Sequence, residues 1–181
     1  MRKRLILVVC GVLTLLACDR SKTAQDSIAD IESMEKKLFS TMESPDDSLA
    51  DALMTAYEAF NTEFKENEMA PEFLFRAANV ARSFNEYDRA LSCYETILAD
   101  HPEYENIIET KFLIAFMYDN DFKDKDKAEE LYKKMAAEYP RHLFGKEAAQ
   151  RLETLHMTDQ EMLEHFKRKN ATVSDSVSVV E

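Results

Sequence analysis

One pattern of two helices is written twice in this chain, in the same register, across residues 70–140. In the first copy Leu74, Ala77, Ala78 and Ala81 recur at helical spacing, a turn follows at Asn85 and Glu86, and Ala90, Tyr94, Ile97 and Pro102 complete the unit. The second copy stands 38 positions further on, as Phe112, Ala115 and Phe116, then Ala128, Tyr132, Met135 and Pro140. Each copy predicts two amphipathic helices, with small residues where they cross, an aromatic beside the crossing and a proline that stops the second helix. Such a hairpin cannot bury its apolar face alone, so it must stack on neighbours. The prediction is an all-α solenoid of helical hairpins, about eight helices in all.

These residues resemble the tetratricopeptide repeat (TPR) family, whose small, small, Ala, aromatic and Pro positions match Ala77, Ala78, Ala90, Tyr94 and Pro102. The second copy departs from it in the bulky Phe116, and the period exceeds the usual length of about 34, with the extra residues in the 102–107 connection. The resemblance implies that the first helix of each unit lines a concave groove for a protein or peptide segment. The family's lining positions fall on Phe75, Arg76, Asn79 and Arg82, then on Leu113, Met117 and Asn120. Arg76 and Asn79 are of the types that bind a peptide carboxylate in the chaperone-tail class. Phe75 and Leu113 stand where that clamp has lysine, so its activity is not implied here. Plain packing against adjacent helices is the alternative role for Phe75, Leu113 and Met117.

Ahead of the fold lies an address. Arg2, Lys3 and Arg4 precede an apolar or small run over residues 5–17, the pattern of a signal peptide. The run is shorter than the roughly 20 residues a spanning helix needs. Leu15, Leu16, Ala17 and Cys18 resemble the lipobox of bacterial lipoproteins, which implies cleavage after residue 17 and acylation of Cys18. Asp19 resembles the inner-membrane retention signal of enteric bacteria. That rule is not general, and a periplasm-facing place at the outer membrane is the expectation. Without residues 1–17 the chain loses three of its 23 basic residues and carries a formal charge of −15. Nucleic acid is then excluded as a natural partner, because phosphate binding requires a basic patch. The acidic surface repels anionic head groups, so membrane attachment rests on the lipid.

Residues 18–26 read as the lipidated cysteine and a polar tether, and residues 27–169 as the helical domain. Within it the clear repeats cover residues 71–102 and 109–140. Residues 27–66 form an N-terminal helix pair in which Leu53, Tyr57 and Phe60 repeat the spacing of Ala90, Tyr94 and Ile97. Ser44 as cap and Pro45 as first helical residue mark the start of its second helix. A degenerate repeat and an unrelated capping pair are both compatible with that sequence. Residues 143–169 form a capping pair whose last helix opens on a Thr158–Glu161 capping box. Residues 170–181 are small and polar, the composition of a disordered tail.

No chemistry is written between the helices. The four histidines lack the spacing of a helical metal site, and Glu161 and His165, four apart, read as a surface pair. The acids of residues 119–126 lack the central glycine of a calcium loop and read as a solvated turn. The mature part has one glycine, Gly145, and so no phosphate-cradling loop. Cys93 would be the sole remaining thiol, a small apolar filler beside the core. The reading is a non-enzymatic, lipid-anchored interaction scaffold of the cell envelope, with no cofactor, metal or small-molecule substrate. It resembles the outer-membrane assembly lipoproteins and Tol-Pal coordinators built of TPR repeats. The alternative is an accessory subunit supporting an envelope enzyme or nutrient-uptake complex.

Overall fold

The computed structural model describes residues 22–40 and 46–177. The signal segment, Cys18 and the expected Ser44–Pro45 helix start lie outside them. Eight helices make up the described chain: α1 (Ala24–Ser40), α2 (Asp47–Glu63), α3 (Met69–Ser83), α4 (Tyr87–Asp100), α5 (Ile107–Asn120), α6 (Lys125–Glu138), α7 (Leu143–Thr154) and α8 (Asp159–Val177). From α1 to α7 each helix packs on the next in sequence, and α5 also touches α7. Among the described residues there is no strand.

Sequence punctuation sets the boundaries. Pro102 and Pro140 follow the ends of α4 and α6, as expected of residues that cannot continue a helix. Asp46 caps α2, its carboxylate accepting from the Leu49 N–H at 3.0 Å. The cap is therefore Asp46 and not Ser44, and α2 begins after Pro45; an aspartate serves as well as a serine in that role. Thr158 and Glu161 form the expected capping box, with the Glu161 carboxylate accepting from the Thr158 N–H and hydroxyl at 2.8 Å each. The last helix does not stop at Lys169 but runs to Val177. Residues 170–177 hold neither proline nor glycine, and each residue added to a formed helix gains a hydrogen bond.

A tyrosine anchors each of the first three hairpins. Tyr57, Tyr94 and Tyr132 are fully buried. Each donates its hydroxyl to an acceptor on the first helix of its own hairpin: Glu35 at 2.6 Å, Asn79 at 2.8 Å and Asp119 at 3.4 Å. Burying a ring this large is favourable only if its hydroxyl finds a partner. The α1–α2 hairpin thus keeps the anchoring arrangement of the two clear repeats.

α5 is apolar nearly all round because it serves two cores. Ile114 and Met117 complete a cluster built from α1 to α4, while Phe112 and Ala115 belong to a second one shared with α6 and α7. The second helices form their own layer. Arg89 of α4 reaches Glu58 and Asp51 of α2 at 2.6 Å each, and Lys65 pairs with Asp100 at 3.0 Å.

Candidate functional site

The first helices α1, α3, α5 and α7 are linked in series through ion pairs and cation–ring contacts. Arg76 of α3 donates to Glu35 of α1 at 2.9 Å and to Glu72 at 2.7 Å. Arg82, six residues further along α3, donates to Asp121 after α5 at 2.9 Å. Phe116 of α5 has a guanidinium on each side in sequence: Arg82 of α3 at 5.3 Å and Arg151 of α7 at 4.9 Å from its ring centre. Cations so placed over a ring are attracted by its electron-rich face.

Of the seven residues expected to line a groove, the structure brings most to the face of these helices, in unequal ways. Asn79 is exposed, and its side-chain oxygen holds the Tyr94 hydroxyl. Phe75 is half-buried, its ring edge-on to Tyr94 and tilted against Tyr104. Leu113 is half-buried against the first core. Asn120 is half-buried and donates to the Phe116 carbonyl at 3.3 Å. Arg76 and Arg82 arrive already paired, and so act as fixed donors more than as free charges. Met117 is 0% exposed and lines nothing. It shares a helix face with Leu113, but α5 must fill the first core as well as present a surface, and Met117 is consumed in the core.

A sequence profile of the tetratricopeptide repeat matches residues 72–104 and 109–142. The fold is a tetratricopeptide-type solenoid. No curated protein matches the chain. The two matched segments are the α3–α4 and α5–α6 hairpins with the connections that follow them. Repeats of this type support a protein–protein interaction scaffold, and protein or peptide segments are the partners they suggest.

Residues that spacing did not single out complete the face. Phe116 stood out in the sequence only as a misfit; the flanking arginines of the first TPR and of α7 give its bulk a place. Tyr104 lies in the long connection between the TPR units, yet it is only 9% exposed and donates to Glu72 at 2.7 Å. The extra residues are packed, not slack. Beside Tyr104 opens a cleft of about 670 Å³ whose lining includes Met69, Pro71 and Pro102 and the acids Glu66, Glu68, Glu103 and Glu105.

Several other titratable groups are engaged structurally. His165 meets Glu153 of α7 at 3.6 Å, so the expected pairing with Glu161 gives way to one across the helices. The 119–126 turn is more than a solvated loop: Asp121 holds Arg82, Asp119 holds Tyr132, and Asp124 caps α6 by accepting from Lys127 N–H at 3.0 Å. Cys93 is buried with its thiol 3.6 Å from Glu58. Burial, then the Glu58 carboxylate, pushes the thiol up to about 12, which removes the thiolate a nucleophile requires. Among the described residues no group of three or more potential ligands stands where it could hold a metal ion.

Proposed function

We propose that this protein is a lipid-anchored, non-enzymatic scaffold of the bacterial cell envelope, facing the periplasm from the outer membrane, that holds a segment of a partner protein on its first-helix face. The observation that carries the binding reading is the character of that face. Phe75, Leu113 and Phe116 stay half-exposed on it, while its arginines are already neutralised by Glu35, Glu72 and Asp121. Such a surface offers apolar area with few uncompensated charges, so area supplies attraction and the Asn79 amide helps fix direction. The anchor rests on the Leu15–Cys18 sequence and on the short apolar run before it.

The test is photo-crosslinking in native membranes, with a crosslinking residue placed at Phe75, at Leu113 and, as a control, at exposed Glu95 on the second-helix layer. A discrete adduct from positions 75 and 113 but not from 95 is expected. Phe75→Ser with Leu113→Ser should then lower capture at least about ten-fold. Because both side chains also touch the core, Phe73→Leu serves as a control that loosens the fold without altering the surface. Equal loss of capture in both would assign the residues to packing and sink the binding reading. Fatty-acid labelling addresses the anchor separately: label retained by Cys18→Ser would overturn it.

A further inference from the structure

Among the described residues of α8, the side chains that meet α7 lie toward one side of the helix. Met162 and His165 turn toward α7, where His165 and Lys169 meet Glu153 at 3.6 and 3.4 Å. The outer side carries Leu163, 55% exposed, whereas Phe166, 49% exposed, lies with Met162 and His165 along the cleft toward α7. Asp159, Leu163 and Lys167 follow one another at intervals of four and therefore form one stripe along the outer side. Both charged members are exposed, and among the described residues neither enters an ion pair.

We propose that this stripe is where two copies of the chain pair, α8 lying antiparallel to the α8 of the second copy about a two-fold axis at Leu163. The residue order argues for it. Asp159 and Lys167 stand four residues to either side of Leu163, so a two-fold that sets Leu163 on its own copy also sets each Asp159 on the other's Lys167. Parallel alignment would instead oppose like charges. Antiparallel axes also oppose the two helix dipoles favourably. A two-fold contact requires a patch complementary to itself, and acid–leucine–base centred on the leucine is such a patch. A foreign helix would need only Leu163; the flanking charges answer to the copy. Apolar area removed from water supplies the attraction, and the ion pairs fix direction and register.

The experiment uses the full chain in membranes and does not depend on the first-helix face. A photo-crosslinking residue at position 163 is expected to give an adduct of twice the chain mass. Asp159→Lys and Lys167→Asp, each alone, should lower that adduct about ten-fold, a loss of about 1.4 kcal/mol, and the two together should restore it. Leu163→Asp should abolish sedimentation as a dimer in detergent, with helical content by circular dichroism unchanged. If that variant lost helicity, the restoration by paired charge exchange would decide. An adduct with a different protein, no adduct at all, or charge reversals that fail to compensate would overturn the pairing.

Discussion

Asn85 and Lys123, 38 positions apart, occupy the same place in the two TPR turns and share a left-handed backbone, with φ of 62° and 59°. The two repeats therefore turn from first to second helix by the same device. Asparagine visits this region readily, whereas a lysine there is strained by its Cβ. Lys123→Gly is expected to raise stability by about 0.5–1 kcal/mol, since relief of the left-handed strain outweighs the added freedom of the unfolded chain. Asn85→Gly should change far less. Chemical denaturation of both variants checks this, and a destabilised Lys123→Gly would show that the strain is not released.

Gly145 has a different reason to be glycine. It sits in the first turn of α7, and a Cβ there would come within 1.9 Å of the Tyr139 carbonyl oxygen. Alanine would ordinarily favour a helix by about 1 kcal/mol. Here the obstacle is backbone, which cannot rotate aside, so Gly145→Ala should instead lower stability by about 1–3 kcal/mol. The thermal midpoint is the readout, and an unchanged or raised value would mean that α6 and α7 separate at little cost.

Much of this architecture was legible in the residues because it depends on repetition. Alanines at the crossings, the aromatic beside them and the terminal prolines each leave a mark at a fixed spacing, and Tyr57 extended that mark to the N-terminal pair. What spacing could not resolve is a residue with two neighbours competing for it. Met117 and Leu113 share a face of α5, yet only the first core next to it decides that Met117 is buried. Phe116 looked like a misfit until α3 and α7 supplied arginines on its flanks. Tyr104 fell in a connection, where helical periodicity says nothing.

Ala90 tests the close crossing of α3 and α4. It is 0% exposed, in the same core as Ala77, Ala78 and Ala81. Ala90→Arg would place a charge where neither water nor a partner can reach it and would force the helices apart. The expected outcome is loss of cooperative unfolding and of most helical signal at room temperature. A variant that melts like the parent would show that the arginine escapes along the helix and that the crossing is looser than its burial implies.

The buried tyrosines make a prediction about alkali. Burial is the leading cause that raises Tyr57, Tyr94, Tyr104 and Tyr132 above the ordinary value of 10.0, and it also raises Cys93 from 9.0 to about 12. For Tyr57 the carboxylate of Glu35 adds to the effect, because a phenolate beside it would be a second negative charge. In the folded chain these groups keep protons that the unfolded chain gives up from about pH 9 for the thiol and pH 10 for the phenols. The native state then binds more protons than the unfolded state, so stability must fall as pH rises through that window. Below it the contribution is complete. Denaturation midpoints should therefore decline from about pH 9 upward, with tyrosinate absorbance appearing together with the loss of helix for the four buried rings. If all seven tyrosines titrated with ordinary values while the helices stayed intact, the hydroxyls would have to be reachable by water. The anchoring of each hairpin through its tyrosine would then have to be given up.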